Sequence, residues 1–221
     1  MKFGCILFDL DGTLVDSRAD LVLAVNLMLS DLGFQTLPHD EIVSFIGDGI
    51  LKLVESALRA STSKPLLKPE LGAAVNIFRD HYKAHLLDRT VVYPGTLEAL
   101  SYLSALPLCV VTNKPYDFTM GILTGLGLAR FFKTILGGDS LPERKPSPVP
   151  LLKAAAQYHV IPSECLMIGD TRNDILAGKA AGMKTAGFAG GFRGRAELEA
   201  AGAEYIFDRY DELLHKVNFE F

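Results

Sequence analysis

No Lys- or Arg-rich cluster interrupts this sequence of 221 residues, whose formal net charge is −4 and whose isoelectric point is near 5.7. That argues against a nucleic-acid partner, which would need a basic stripe to meet phosphates. No uninterrupted apolar stretch approaches the roughly 20 residues that cross a bilayer, so no membrane association is expected. The first residues, Met1 to Cys5, run directly into an apolar segment and leave no room for a cleavable signal, so a cytoplasmic protein is expected. Cysteine is scarce: Cys5, Cys109 and Cys165 are odd in number, unpatterned in spacing, and each sits in an apolar run. They read as small reduced core residues rather than a disulfide set, and no His near them in sequence suggests a catalytic thiol. His81 and His85 stand four apart, as metal ligands on a helix can, but no Cys, Glu or third His completes a set nearby. They read as surface residues, and His39, His159 and His215 are isolated. There is neither a low-complexity tract nor a repeat of fixed period.

What is present is enough apolar material, 49% of residues, for one large domain or for a core carrying a smaller insert. The stretch Cys5 to Phe8 is a continuous apolar run, the pattern of a strand buried on both faces. From Ser17 to about Leu87 no convincing strand follows. Ser17 can cap a helix with Leu21, Ala24, Val25, Met28 and Leu32 on one face. A short helix from about Glu41 ends at Gly47, and a further helix has Ile50, Leu53, Val54, Ala57 and Leu58 inside. Ser61 to Lys68 is expected to be a polar loop, and a third long helix aligns Leu71, Val75, Phe78 and Tyr82. After Tyr93-Pro94-Gly95 the character changes. Strand candidates at Leu108 to Thr112, Thr134 to Gly138, Cys165 to Gly169, Lys184 to Phe188 and Tyr205 to Phe207 alternate with helices. That alternation predicts an α/β fold with a parallel sheet covered on both faces, to which the opening strand belongs. The expected division is a core of residues 1–15 and 88–221 with a helical insert over 16–87.

In such sheets ligands bind beyond the carboxyl ends of the strands, so the residue on which each strand ends is informative. The first ends on Asp9, with Asp11 two residues on and Gly12 to turn the backbone. Two carboxylates there are costly unless a divalent cation or a shared proton neutralises them, or unless water does. The second candidate strand ends on Thr112-Asn113-Lys114, and the run from Cys165 ends on Asp170, followed by Thr171-Arg172-Asn173-Asp174. Lys145 lies between prolines just before a helix. Each alone has a plain structural reading; their convergence on one sheet edge does not.

Taken in order, Asp-Leu-Asp-Gly-Thr-Leu-Val-Asp, Val-Val-Thr-Asn-Lys, Lys145-Pro and Gly-Asp-Thr-Arg-Asn-Asp resemble the four motifs of the haloacid dehalogenase-like hydrolase superfamily. The resemblance spans the chain and implies a Rossmann-like core with an inserted helical cap. It also implies a Mg2+-dependent phosphomonoester hydrolase acting on a small phosphorylated metabolite. Asp9 would attack phosphorus and form an aspartyl-phosphate, and Asp11 would protonate the leaving alkoxide and then activate water. Mg2+ would be held by the carboxylates of Asp9 and Asp170 and the backbone carbonyl of Asp11, with Asp174 as a holder of metal-bound water or of Lys145. Thr112 and Asn113, through its backbone N–H, would bind phosphoryl oxygens, and Lys145 would neutralise nucleophile and phosphoryl group together.

Within that superfamily the chain resembles the bacterial phosphoglycolate phosphatases at Phe45-Ile-Gly-Asp-Gly-Ile, Val92-Tyr-Pro-Gly-Thr, Thr112-Asn-Lys-Pro and the run from Gly137 to Pro146. The implied reaction converts 2-phosphoglycolate to glycolate and phosphate, with Gly47, Asp48 and Gly49 forming the cap loop that meets the substrate. Ser56 stands where relatives often carry Arg, leaving Lys52 and Arg59 as candidate anion binders, and the stretch from Gly190 to Gly202 resembles generic superfamily members. Competing readings are a broad-specificity phosphatase, a β-phosphoglucomutase-like phosphosugar mutase, and a non-catalytic binding protein on the same fold. The expected assembly is a monomer or a homodimer.

Overall fold

A computed structural model of the chain describes residues 3–62, 68–217 and 219. By the density of its internal contacts the chain separates into two units, Met1–Asp16 with Val92–Phe221 and, inserted between them, Ser17–Val91.

The first unit is built on strand β1, Cys5–Phe8, whose four residues are all buried, as the unbroken apolar run requires. Short pairs at Val15–Asp16 (β2) and Val91–Val92 (β3) form a separate two-stranded sheet. The main sheet continues with Leu108–Val111 (β4), Thr134–Leu136 (β5), Cys165–Gly169 (β6), Lys184–Phe188 (β7) and Tyr205–Phe207 (β8). Its order is β5-β4-β1-β6-β7-β8, and every pairing is parallel. The parallel α/β architecture is therefore present, with β1 at its centre. One face is covered by helices Val149–Ala156 (α5) and Arg172–Ala180 (α6): Leu151, Ala154, Ala155 and Ala177 pack on Cys5, Leu7, Cys109, Val111, Cys165 and Met167. The three cysteines are free and buried. Ile6, Phe8, Leu108, Val110, Leu166 and Ile168, which alternate with these residues, are also buried, so both faces are covered.

The second unit contains helices Arg18–Asp31 (α1), His39–Ser44 (α2), Ile50–Ser61 (α3) and Lys68–Ala84 (α4). Leu21, Ala24, Val25 and Met28 of α1 are buried as the spacing predicts, but Leu29 rather than Leu32 completes the face, because the helix stops at Asp31. In α3 the buried set is Leu53, Val54, Ala57 and Leu58. In α4, Ala74, Phe78 and Tyr82 form the buried row, with Leu71 and Val75 at its margin. Ser17 occupies the position before α1 but its side chain makes no capping bond. Its ψ of 8° is not the extended geometry that aims a cap hydroxyl at the first free N–H groups. The buried Asp20 carboxylate instead accepts from Arg89 N, Thr90 N at 2.8 Å and Thr90 Oγ1 at 2.6 Å. Of the loop expected over Ser61 to Lys68, residues 63–67 lie outside the described residues, while Ser61 ends α3 and Lys68 begins α4. No helix among the described residues is long and apolar enough to cross a membrane.

Candidate active site

The carboxyl ends of the three central strands, β4, β1 and β6, carry the polar groups. Asp9 N still donates to Ile168 O (2.9 Å), which keeps the residue in register beside β6. Beyond it the chain turns tightly: Leu14 N donates to Leu10 O and Gly12 N to Val15 O, both at 2.9 Å. Gly12 has φ +81°, and a Cβ there would overlap Asp170 Oδ2, so glycine alone permits this approach of the turn to the end of β6. Thr112 N donates to Leu136 O (3.0 Å), and the Thr112 hydroxyl accepts from Lys114 N (3.3 Å).

Lys145 is the hub of the buried charges. Its Nζ donates to Asp174 Oδ1 at 2.6 Å and lies 2.9 Å from Asp9 Oδ1. Burial pulls its ammonium down, yet the charges of Asp174 and Asp9 outweigh that, and the net displacement is upward. Asn113 Nδ2 donates to the Lys145 carbonyl at 2.9 Å, tying the loop that carries the lysine to the end of β4. The other Asp174 oxygen accepts from Thr171 N (3.0 Å) and Thr171 Oγ1 (2.8 Å), so both oxygens of this carboxylate are held by protein donors. Asp170 accepts from Thr13 Oγ1 (3.1 Å) and Phe192 N (2.8 Å). Burial, then the charges of Asp174 and Asp9, push the Asp170 carboxyl well above the usual aspartate range. Asp174 is also displaced upward by burial, with Lys145 opposing.

The arrangement fits a divalent cation. Asp9, Asp170 and Asp174 are buried and offer oxygens that all lie within 4.8 Å of one another. Asp9 Oδ1 meets Lys145 Nζ at 2.9 Å as an ion pair, outside strict hydrogen-bond alignment. Among the described residues four carboxylates, Asp9, Asp11, Asp170 and Asp174, gather beside Lys145 and Lys114, so acidic groups outnumber these lysines. Hard carboxylate oxygens in that number suit a hard cation.

Lys114 is the residue that sequence reasoning left without a role. Its Nζ donates to both oxygens of Asp11, at 3.0 and 2.9 Å. The signal was its position directly after Thr112-Asn113 at a strand end. Thr13 and Phe192, which fix Asp170, had no comparable signal. The remaining candidates belong to the helical unit. Gly47 and Gly49 have φ of +129° and +88°, and with Asp48 they immediately precede α3. Lys52 and Arg59 both pair with Glu55, at 3.1 and 2.8 Å. His81 pairs with Asp31 (2.7 Å) and His85 with Asp88 (2.8 Å).

The family model described as haloacid dehalogenase-like hydrolase matches residues 6–188. A protein of Colwellia psychrerythraea named phosphoglycolate phosphatase is 42% identical over 95% of this chain and 94% of its own length. One of the same name from Chromobacterium violaceum is 40% identical over 94% and 93%. The crystal structure described as a predicted phosphoglycolate phosphatase from Haemophilus somnus superposes with a TM-score of 0.93 at 33% identity, covering 98% of this chain and 99% of that one.

Proposed function

The chain belongs to the haloacid dehalogenase-like hydrolases and is a phosphatase, and from that premise we propose that it hydrolyses 2-phosphoglycolate through an aspartyl-phosphate on Asp9, with Mg2+ as its ion. The observation that carries this reading is the buried constellation in which Lys145 lies between Asp9 and Asp174 while Asp170 brings a third carboxylate within 4.8 Å of both.

Phosphomonoesters are anions that resist attack by anions, so positioning and charge neutralisation must supply the rate. Asp9 presents its carboxylate to phosphorus, and the adjacent Lys145 ammonium offsets the charge that nucleophile and phosphoryl oxygens bring together. The Thr112 hydroxyl, which accepts from Lys114 N, keeps its proton for a phosphoryl oxygen, and the Asn113 backbone N–H takes another. The Asn113 side chain works on Lys145 through its carbonyl. Asp11 gives a proton to the departing alkoxide and afterwards takes one from the water that releases phosphate from Asp9. The carboxylates of Asp9 and Asp170 and the Asp11 carbonyl would hold the divalent cation, which supplies further neutralisation of phosphoryl charge. Asp174 braces Lys145. We assign the helical unit the role of a cap, with Gly47, Asp48 and Gly49 as its selecting loop.

The test is phosphate release from 2-phosphoglycolate, sugar phosphates and nucleotides, with Mg2+ and with chelator. A Mg2+-dependent preference for 2-phosphoglycolate is expected. A sugar-phosphate preference would remove the substrate and keep the chemistry, whereas no release from any ester would remove both. Asp9→Asn is expected to abolish turnover while leaving the fold intact, because it removes the nucleophile without removing volume; substantial residual activity would refute the role of Asp9.

A further inference from the structure

The turn that follows β1 closes on itself: the N–H groups of Thr13 (3.2 Å), Leu14 (2.9 Å) and Val15 (3.1 Å) all donate to Leu10 O. It is fastened to distant parts of the first unit by further bonds. Tyr93 N donates to Leu14 O (3.1 Å), Thr13 Oγ1 donates to Asp170 Oδ1 (3.1 Å), and the Tyr210 hydroxyl donates to Thr13 O at 2.9 Å. Tyr210 opens the helix Tyr210–Val217, 197 residues from Thr13 and beyond the residues 6–188 that the family model matches. It is 1% exposed, and its ring packs on Phe188 (5.3 Å) and Phe207 (5.5 Å). Gly95, with φ +81°, makes room for it, since a Cβ there would come within 3.2 Å of Tyr210 Cβ. Phenylalanine serves such packing equally well, as at positions 188 and 207. A buried phenol adds a polar atom that must be bonded, and here that bond goes to the carbonyl of the residue whose side chain holds Asp170.

We propose that Tyr210 is a positioning residue for the cation site: by holding the Thr13 carbonyl it sets the Thr13 hydroxyl against Asp170 and fixes the turn that carries Asp11. The inference rests on the divalent-cation reading given above. Two of the ligands assigned there depend on Thr13. The Asp11 carbonyl lies two residues before it in the same turn, and the Asp170 carboxylate accepts from its side chain. A group that orients the holder of a ligand acts on affinity without touching the ion. Without the phenol, the buried Thr13 carbonyl is left unsatisfied. The turn relieves this by rotating the Thr13–Leu14 peptide, which draws the threonine hydroxyl off Asp170. Tyr210 stands one residue further out than Thr13, so its effect on the ion is the smaller of the two.

The experiment measures the Mg2+ dissociation constant by isothermal titration calorimetry, without substrate, in the wild-type protein, Tyr210→Phe, Thr13→Val and the double variant. Phe207→Leu, which loosens the same aromatic cluster but keeps the hydroxyl, is the control for a merely structural role. Circular dichroism checks that each variant is folded. Tyr210→Phe is expected to weaken Mg2+ binding by about 3- to 10-fold, and Thr13→Val, which removes a direct partner of Asp170, by about 10- to 100-fold. In the double variant the loss of the Tyr210 hydroxyl should add little, because its effect passes through Thr13. Phe207→Leu should lower Tm and leave the dissociation constant unchanged. An unchanged constant in Tyr210→Phe, an equal loss in Phe207→Leu, or full additivity in the double variant overturns the inference. A wild-type protein that binds no Mg2+ would instead contradict the proposed ion. Amide hydrogen exchange of Thr13, Leu14 and Val15 then decides the role of Tyr210: faster exchange in Tyr210→Phe than in Phe207→Leu supports it, and equal exchange overturns it.

Discussion

Replacing Asp170 by Asn should have opposite effects on stability with and without a divalent cation. The carboxylate is fully buried, accepts from Thr13 Oγ1 and Phe192 N, and lies with Asp9 and Asp174 in a set whose oxygens are at most 4.8 Å apart. At that separation and an effective dielectric constant of ~20, two unit charges repel by about 3.5 kcal/mol. Lys145 offsets part of the repulsion from the two neighbours, so Asp170→Asn should stabilise the metal-free protein at pH 8 by about 1 to 3 kcal/mol. The amide fits the same contacts: its oxygen accepts from Phe192 N, and its NH2 donates to Thr13 Oγ1, a hydroxyl that can accept as well as donate. The difference should shrink in acid. A carboxyl raised in the folded state holds its proton more tightly folded than unfolded, so its favourable contribution is present in acid. That contribution is lost as pH rises from the unfolded value, about 4, through the folded one. Equilibrium urea unfolding in chelator at pH 8 and near pH 4 measures both arms. With Mg2+ at ~100 times its dissociation constant the wild-type protein should gain about 2.7 kcal/mol, and the variant should gain almost none and release no phosphate. A metal-free variant less stable than wild type at pH 8, or one that keeps the Mg2+-induced gain, would refute the reasoning.

Two further substitutions probe the turn and the cap. Gly12→Ala forces a side chain onto φ +81° and into Asp170; a loss of about 1 to 3 kcal/mol in urea unfolding is expected, together with a smaller Mg2+-induced rise in Tm. Asp48→Ala should change the ratio of kcat/KM between 2-phosphoglycolate and p-nitrophenyl phosphate more than it changes turnover of the latter. An equal loss on both esters would show that the loop does not select.

The sheet and the charges at its edge were legible because burial on both faces leaves a run such as Cys5 to Phe8 with no polar residue until the strand ends on Asp9. The face of α3 was legible because its buried residues Leu53, Val54, Ala57 and Leu58 recur at plain helical spacing. That of α4, which packs on both α1 and α3 and buries Ala74 between the more obvious Leu71 and Val75, was less so. The two-residue strands β2 and β3 are too short to leave a periodic signal. The partners that fix the site were hidden for a different reason. Lys114 meets Asp11 across 103 residues, and Thr13 meets Asp170 across 157. No local pattern encodes such meetings; the strand order creates them. The Ser17 cap shows the reverse, a locally favoured bond that the observed backbone geometry does not make.

Asp20 has a consequence for the ancestry of such a chain. A single carboxylate near the start of the helical insert grips the N–H groups of Arg89 and Thr90 near its finish. Entry and exit of the insert are thus fastened by a residue of the insert itself. A segment that carries its own clasp can be exchanged for another, or lengthened within, with no change asked of the strands that bear the chemistry. On the proposed role of the insert as a selecting cap, new substrate preferences could then be tried by exchanging it while the strands that carry Asp9 and Asp170 stay unaltered.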